Sequence, residues 1–223
     1  DIIFCSGLSS HIHGEGEYVN IQYGNELLKN IKTNAIKIGG GLQPTAKPEI
    51  LYEKFSNLDY FIGGESELTL VELANKKLDI KNFEETKGLI KKNNGKTIVN
   101  FPQEIISDMD KISHYDYSVF EEQVFYRAYN GEVIKAVDYE LSRGCVYTCS
   151  YCVETTIQNY YGFNETTKTG VLKNAPSYLR NKSAKRAYEE IKNLYEKFGI
   201  ILIRCQDTNF LTIDSNVLNE LAT

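Results

Sequence analysis

The sequence has no hydrophobic run that approaches the ~20 residues a membrane-spanning helix needs, so a transmembrane segment is not expected. It has only five cysteines, an odd number without even spacing, which argues against a secreted disulfide scaffold. We therefore expect a reducing, cytoplasmic compartment. There is no surplus of basic residues either: the net charge of −5 argues against a nucleic-acid partner.

The start of the chain also lacks familiar features. The sequence begins at Asp1 without a methionine and shows no signal peptide. Such a start suggests a fragment of a longer protein, so the missing targeting signals carry little weight. The 223 residues are 42% hydrophobic and 25% charged, which is ordinary for a globular protein with one large core or two smaller ones.

Residues 1–80 alternate strand and helix signals. Short apolar runs that end in glycine or serine predict strands over 1–6, 35–41 and 58–64. Helical patterns lie between and after them, over 18–32, 47–55 and 66–78, the last with Leu68, Val71 and Leu78 at helical spacing. This alternation predicts an α/β fold with a parallel sheet, whose strands carry open, ligand-binding loops at their carboxyl ends.

Residues 81–134 differ in character and are expected to link two domains. Asn94-Gly95 and Asn130-Gly131 each stand between short apolar runs, which is a hairpin signal. After residue 135 the strand–helix pattern returns, with strands predicted over 135–144 and 200–206 and helices over 183–199 and 214–222.

Helix 183–199 has the clearest pattern in the chain. Ser183 can cap its start and Gly199 can close its end. Its predicted apolar face consists of Ala187, Ile191, Leu194, Tyr195 and Phe198.

Three of the five cysteines stand close together, spaced Cys145-x3-Cys149-x2-Cys152. A tight loop could present all three thiolates to one metal centre. Tetrahedral zinc would need a fourth ligand at structural spacing, and the three histidines are all far upstream. An iron–sulfur cluster held by three thiolates would keep one iron open for a substrate. A zinc site completed by a distant ligand, or a chance cluster of buried cysteines, are the alternatives.

This loop, with Arg143-Gly144 before it and Tyr151 before its last cysteine, resembles that of the radical S-adenosylmethionine (radical SAM) enzymes. Their hallmark is CxxxCxxC after the first strand of a partial (β/α) barrel. The resemblance implies that Cys145, Cys149 and Cys152 bind a [4Fe–4S] cluster, that S-adenosylmethionine chelates its fourth iron, and that Tyr151 lies against the adenine. One electron would then cleave the sulfonium to methionine and a 5′-deoxyadenosyl radical.

The segment RCQDTNFLT, residues 204–212, is similar to the second barrel strand of that family. The resemblance implies that Asp207 and Asn209 are polar contacts of the cofactor. The alternative is that this polar strand end caps the helix that follows. Cys205 is interpreted as a small core residue, the common role of a lone cysteine.

The glycine-rich strand ends of residues 1–80 lack the G-x-G-x-x-G fingerprint of dinucleotide binding. Together with the cysteine loop, they resemble the second half of the cobalamin-binding domain that precedes the barrel in one large class of radical SAM enzymes. The resemblance implies a Rossmann-like (flavodoxin-like) half-domain over 1–80, followed by the start of a radical SAM barrel over 135–223. It also implies that cobalamin is bound by Ser6, Gly40, Gly41, Thr45, Gly64 and Glu65.

Two departures from the family pattern affect these assignments. Some members ligate cobalt from a histidine loop in a region upstream that this sequence lacks. His11 and His13 stand in another loop, and neither is assigned as an axial ligand. A complete barrel of this family also needs more strand–helix units than the two predicted after residue 135.

The leading hypothesis is an enzyme that makes a substrate radical and, with cobalamin, transfers a methyl group from S-adenosylmethionine to an unactivated carbon. Radical cyclisation, rearrangement and methylthiolation are alternatives within that class. Outside it, the cysteines could hold zinc or a structural cluster in a non-catalytic module, or serve an electron carrier. Expected partners are a small-molecule or peptide substrate and an electron donor such as a flavodoxin or ferredoxin. The sequence assigns no catalytic residue.

Overall fold

A computed structural model describes residues 1–5, 18–76 and 79–223. They form two compact units: unit 1 comprises 1–105 and 150–164, and unit 2 comprises 106–149 and 165–223. The segment expected to link two domains is thus divided between the units. Ser6, His11, His13 and Leu78 lie outside the described residues, so the expectations for them stay predictions.

Strands and helices are distributed over both units. The described residues contain ten strands: β1 (Ile2–Cys5), β2 (Ile36–Gly39), β3 (Tyr60–Ile62), β4 (Leu89–Asn93), β5 (Lys96–Val99), β6 (Tyr126–Tyr129), β7 (Glu132–Tyr139), β8 (Ser142–Arg143), β9 (Arg180–Asn181) and β10 (Leu202–Cys205). The same residues contain nine α-helices: α1 (Tyr18–Asn30), α2 (Leu42–Ala46), α3 (Leu51–Lys54), α4 (Glu67–Lys76), α5 (Ile80–Glu84), α6 (Val153–Tyr160), α7 (Ala175–Tyr178), α8 (Ala184–Phe198) and α9 (Ser215–Leu221). No helix in this described part of the chain combines the length and apolar character that a membrane span requires.

Unit 1 is built on a five-stranded sheet in the order β1-β2-β3-β4-β5. Strands β1, β2 and β3 are parallel, with Ile2 opposite Ile36 and Ile38 opposite Tyr60. The predicted parallel strands are therefore confirmed. Strands β4 and β5 add an antiparallel hairpin around Asn94-Gly95, as the turn signal predicts.

Both faces of this sheet are covered. Phe61 belongs to one buried cluster and its neighbour Ile62 to another, because successive strand residues point to opposite faces. The apolar residues noted at helical spacing do not form the buried face of α4, since Leu68 is 43% exposed. Val71 is 60% exposed, whereas Leu73 and Thr69 are buried. Thr69 tolerates burial because its hydroxyl donates to the carbonyl of Lys87, 3.2 Å away.

Unit 2 contains a three-stranded sheet in the order β10-β7-β6 and the two-stranded pair β8-β9. Strands β7 and β10 are parallel, and β6 and β7 form the predicted hairpin around Asn130-Gly131. Helix α8 covers one face of the sheet, where Ala187 and Leu194 lie in the same cluster as Val137. The described chain is therefore a mixed α/β fold with parallel strands in two sheets.

The ends of α8 agree with the sequence pattern. The Ser183 hydroxyl oxygen accepts from the Arg186 N–H at 3.1 Å, and Gly199 ends the helix in the left-handed conformation. One member of the predicted apolar face is wrong: Tyr195 is 64% exposed. The sequence pattern identified the helix but overestimated the width of its buried face.

A buried ionic network ties α8 to β7. The Glu190 carboxylate accepts from Lys182 Nζ at 2.8 Å, from Arg186 Nε at 2.7 Å and from the Tyr139 hydroxyl at 2.7 Å. The Arg186 guanidinium also donates to the carbonyls of Asp110 and Ile112. Burial alone would raise the pKa of Glu190, but hydrogen bonds from Lys182, Tyr139 and Arg186 lower it below its ordinary value.

We predict that Glu190→Gln lowers the free energy of unfolding by about 3 kcal/mol, because two buried cations lose their counter-charge. Urea unfolding near pH 7 measures this loss. The matched control is Glu196→Gln, whose partner Lys192 lies 3.9 Å away in an exposed pair, and which should cost less than about 0.5 kcal/mol.

The same pair of variants gives a pH dependence. Because the folded pKa of Glu190 is depressed, its stabilisation is present above the unfolded pKa of about 4.3 and is lost as the pH falls through the folded pKa. The difference in the free energy of unfolding between the unsubstituted chain and Glu190→Gln should therefore become smaller as the pH falls. The stabilising role of the network would be contradicted if this difference stayed constant down to pH 2. It would also be contradicted if Glu190→Gln and Glu196→Gln lost equal amounts of unfolding free energy at pH 7.

Candidate functional site

Two glycine loops in unit 1 follow adjacent parallel strands. Gly40-Gly41 follows β2, and Gly63 to Glu65 follow β3. The hydroxyl oxygen of Thr45, a buried residue of α2, accepts from the Gly64 N–H at 2.7 Å and joins the two loops. The structure thus brings together five of the six residues predicted for cobalamin, and the sixth, Ser6, lies outside the described residues.

Aromatic rings lie directly against these glycines. A Cβ atom at Gly64, which has φ +73°, would lie 2.1 Å from the Tyr161 hydroxyl oxygen, and one at Gly63 would lie 2.8 Å from that of Tyr160. A Cβ at Gly40 would lie 2.6 Å from the Phe4 ring. Sequence reasoning missed this use of the glycines, because nothing local connects residues 63–64 to residues 160–161.

The small residues at this edge are compatible with a corrin. Cobalamin is a large ligand with amide groups around its rim, and it needs polar groups on loops that carry little side-chain bulk. Here two glycine loops at the carboxyl ends of parallel strands are held together by the buried Thr45. The tyrosine and phenylalanine rings lie on the Cβ side of three of these glycines.

In unit 2 the carboxylate of Asp207 fixes the approach to the cysteine loop. Its Oδ1 accepts from the N–H groups of Leu141 and Ser142, and from the Ser142 hydroxyl at 2.5 Å. Asp207 lies just after β10 and is buried, and its Oδ2 has no partner among the described atoms. Asp207 therefore has a positioning role that the sequence did not suggest.

The next residues shape the turn into the first cysteine. Arg143 donates to Glu140 at 2.9 Å. Gly144 has φ +92°, and a Cβ there would lie 2.7 Å from the carbonyl oxygen of Tyr178. Only glycine fits this position without a shift of the backbone, which gives a physical reason for the Arg-Gly pair before Cys145.

Cys145 is buried, and its sulfur is approached by hydrogen-bond donors. The Tyr147 backbone N–H lies 3.4 Å from Cys145 Sγ, and the Asn209 side-chain amide lies 3.8 Å from it. Hydrogen-bond donors also surround the sulfur ligands of iron–sulfur clusters. This part of the loop fits a cluster ligand.

Asn209 also caps the next turn, as the alternative interpretation expected. Its Oδ1 accepts from the Leu211 N–H at 3.2 Å, while its amide faces Cys145. The core interpretation of Cys205 is wrong: this residue is exposed at the end of the edge strand β10.

The remaining predicted site residues are placed individually. In unit 2, Cys149 is partly exposed, and the preceding Thr148 donates through its backbone N–H and its hydroxyl to the carbonyl of Gly170. In unit 1, Cys152 is partly exposed at the start of α6, and Tyr151 is 90% exposed. Among the residues the structure describes, no three His, Cys, Asp or Glu side chains form a metal-holding group, so the ligand assignment stays a prediction.

Sequence reasoning also missed a charged pair on the sheet of unit 2. Asp138 on β7 and Arg204 on β10 are register partners, and their side chains lie 2.5 Å apart. Gln206 also donates to Asp138, at 3.0 Å. Burial alone would raise the pKa of Asp138, but Arg204 and Gln206 lower it, so the carboxylate stays ionised. Strand alternation could have revealed the pair, because its flanking residues Val137 and Ile203 face the core.

Comparison with known proteins identifies enzymes of the same fold. No protein-family model matches the sequence. The chain resembles a structure of TsrM from Kitasatospora setae, a radical S-adenosylmethionine methyltransferase with tryptophan substrate and aza-SAM bound (TM-score 0.62, 18% identity, 99% of this chain and 39% of that chain). It also resembles OxsB, a cobalamin-dependent S-adenosylmethionine radical enzyme (TM-score 0.59, 17% identity, 99% of this chain and 28% of that chain).

A sequence relative points the same way. An uncharacterized methyltransferase of Pyrococcus horikoshii is 26% identical over 185 residues, which cover 83% of this chain and 36% of the relative. Another TsrM structure carries cobalamin and a [4Fe–4S] cluster. The chain thus shares the fold of a radical SAM methyltransferase and of a cobalamin-dependent S-adenosylmethionine radical enzyme, and it spans well under half the length of each of these relatives.

We predict that Gly64→Ala destabilises the chain more than Gly95→Ala does. Both glycines have positive φ, so each alanine costs about 1 kcal/mol of backbone strain. Only the alanine at 64 also meets Tyr161, which adds about 1 to 3 kcal/mol of overpacking, whereas no atom of the described residues lies within 4 Å of a Cβ at Gly95. Urea unfolding of the two variants compares the costs; equal values would mean that the contact with Tyr161 carries no energy.

We predict that Asp207→Ala lowers the free energy of unfolding by about 2 kcal/mol and speeds hydrogen exchange at the Leu141 and Ser142 amides, which lose their acceptor. Asp214→Ala is the control, because Asp214 also accepts a backbone N–H, from Asn216 at the start of α9. It should cost about 1 kcal/mol and leave those two amides protected. Unchanged exchange at Leu141 and Ser142 in Asp207→Ala would refute the positioning role.

Proposed function

We propose that the chain belongs to the cobalamin-dependent radical SAM enzymes and contributes to methyl transfer from S-adenosylmethionine to an unactivated carbon. One observation carries the proposal: a CxxxCxxC loop follows a parallel strand in a fold that such enzymes share over 99% of this chain. The 26% identity to a methyltransferase supports the same class of reaction.

Three thiolates, those of Cys145, Cys149 and Cys152, would hold the [4Fe–4S] cluster. When bound, the cluster would supply the electron that cleaves S-adenosylmethionine, and cobalamin would carry the methyl group. Around the loop, Asp207 holds Leu141 and Ser142 in place, and the amide of Asn209 would donate to the sulfur of the cluster ligand Cys145.

The other predicted contacts complete the proposal. Tyr151 would lie against the adenine. Gly40, Gly41, Thr45, Gly64 and Glu65 would contact the corrin. The ionised pair of Asp138 and Arg204 offers polar contacts to a small-molecule or peptide substrate. A flavodoxin or ferredoxin would deliver the electron.

The experiment is anaerobic reconstitution of the chain with iron and sulfide, followed by metal analysis. We expect about four iron and four sulfide per chain. Cys145→Ala should lose most of both while residues 1–80 stay folded, because it removes a ligand. Cys205→Ala is the matched control and should keep both, since Cys205 stands apart from the loop in sequence. Dithionite reduction of the reconstituted chain in the presence of S-adenosylmethionine should then yield 5′-deoxyadenosine. The same assay is repeated with the complete product of the gene.

Each other outcome has a defined meaning. One zinc per chain and no iron would mean that the chain is a zinc-binding module and not the proposed enzyme. If the complete gene product holds a full cluster but yields no 5′-deoxyadenosine, the cluster serves electron transfer or a structural role. A cluster retained in Cys145→Ala would overturn the ligand assignment.

A further inference from the structure

The loop of residues 63–65 in unit 1 has its three backbone N–H groups satisfied by three different segments. Gly63 donates to the Gly88 carbonyl at 2.9 Å, and Gly64 donates to Thr45 Oγ1 at 2.7 Å. Glu65 donates to the Tyr161 hydroxyl oxygen at 2.6 Å. The first two acceptors stand near the loop in sequence, whereas Tyr161 is 96 residues away.

Tyr161 is the C-cap residue that follows helix α6, and it and its neighbour Tyr160 both reach the loop. Their rings pack edge to face, with centroids 5.2 Å apart and an interplanar angle of 83°. Tyr160 lies against Gly63 and Tyr161 against Gly64. Because a Cβ atom at either glycine would collide with these rings, the glycine pair and the tyrosine pair fit each other closely.

The two tyrosine hydroxyls have different roles, although they are adjacent in sequence. The Tyr161 hydroxyl accepts a hydrogen bond from the Glu65 N–H, whereas the Tyr160 hydroxyl is buried with no hydrogen-bond partner among the described residues. Burial raises the pKa of Tyr160 to about 12. Removing the Tyr161 hydroxyl therefore breaks a bond to the loop, and removing the Tyr160 hydroxyl breaks none.

We propose that Tyr161 is a positioning residue for the corrin-binding loop: its hydroxyl fixes the backbone at Glu65, and so sets the conformation in which Gly64 and Glu65 meet the cofactor. This inference rests on the cobalamin part of the proposed function. It assigns the Tyr161 hydroxyl to the support of the corrin-binding loop and leaves catalysis to other residues. Thr45 fixes the same loop one residue earlier.

The test compares Tyr161→Phe with Tyr160→Phe, with hydroxocobalamin as the probe. Binding is followed by the absorbance of the corrin on the full chain, and amide exchange is followed at Glu65. Tyr161→Phe should weaken binding about tenfold and speed exchange at Glu65, since one hydrogen bond is lost. Tyr160→Phe removes the same atom one residue away, and should bind within about twofold of the original chain and be no less stable.

Two further measurements separate positioning from loss of folding. Exchange in β2 and β3 should be unchanged in Tyr161→Phe, which confines the effect to the loop. Thr45→Val removes the acceptor for the Gly64 N–H and should weaken hydroxocobalamin binding as well. If Tyr161→Phe proves too unstable to bind the probe, Thr45→Val decides: unchanged affinity in that variant overturns the positioning of this loop.

The remaining outcomes are also decisive. If the original chain binds hydroxocobalamin and Tyr161→Phe binds equally well, the inference is overturned while the proposed cofactor stands. If Tyr160→Phe weakens binding as much as Tyr161→Phe, the ring pair acts through packing and the specific role of the Tyr161 hydroxyl is overturned. If the original chain binds no hydroxocobalamin, the cobalamin assignment fails, and this inference fails with it.

Discussion

Parallel strand pairing is the constraint on which the arrangement of both units depends. In unit 1 it brings the glycine loops after β2 and β3 to one edge of the sheet, and in unit 2 it brings the end of β10 beside the end of β7. Residues far apart in sequence therefore meet: Thr45 meets Gly64, and Asp207 meets Ser142. Antiparallel hairpins only extend these sheets at their sides, and no predicted site residue lies in either hairpin turn.

The two units hold their loops by different physical means. Unit 1 uses close packing, in which glycines leave room for aromatic rings and a single threonine bridges the loops. Unit 2 uses buried polar and charged groups: the side chain of Asp207 accepts hydrogen bonds from three donors, and Glu190 forms ion pairs with two cationic side chains. Removing one partner of a buried ion pair leaves an uncompensated charge, so the Glu190 network depends on all of its members being in place.

Local signals predicted the features that depend on neighbouring residues. Asn94-Gly95 and Asn130-Gly131 marked both hairpins, Ser183 and Gly199 marked the ends of α8, and the cysteine spacing pointed to the class of enzyme that shares this fold. Features that depend on contacts between distant residues could not be predicted from the sequence. The burial of Thr69 requires the Lys87 carbonyl, and the role of Gly64 requires a tyrosine 97 positions later. The burial predicted for Tyr195 was wrong for a related reason, because the tertiary fold decides how much of the surface of α8 is buried.

The reach of Asp207 has a consequence for how the protein matures. Its bond to the Ser142 hydroxyl spans 65 residues, so the approach to the cysteine loop takes its final form only after β10 has joined β7. Contacts of such long separation are completed late, because the chain must first lose the entropy of the intervening segment. During synthesis the thiols of the loop therefore emerge before the scaffold that orients them, and they are open to oxygen or to stray metal ions in that interval. The proposed cluster would then be loaded into the finished fold, after the ribosome has moved well beyond the loop.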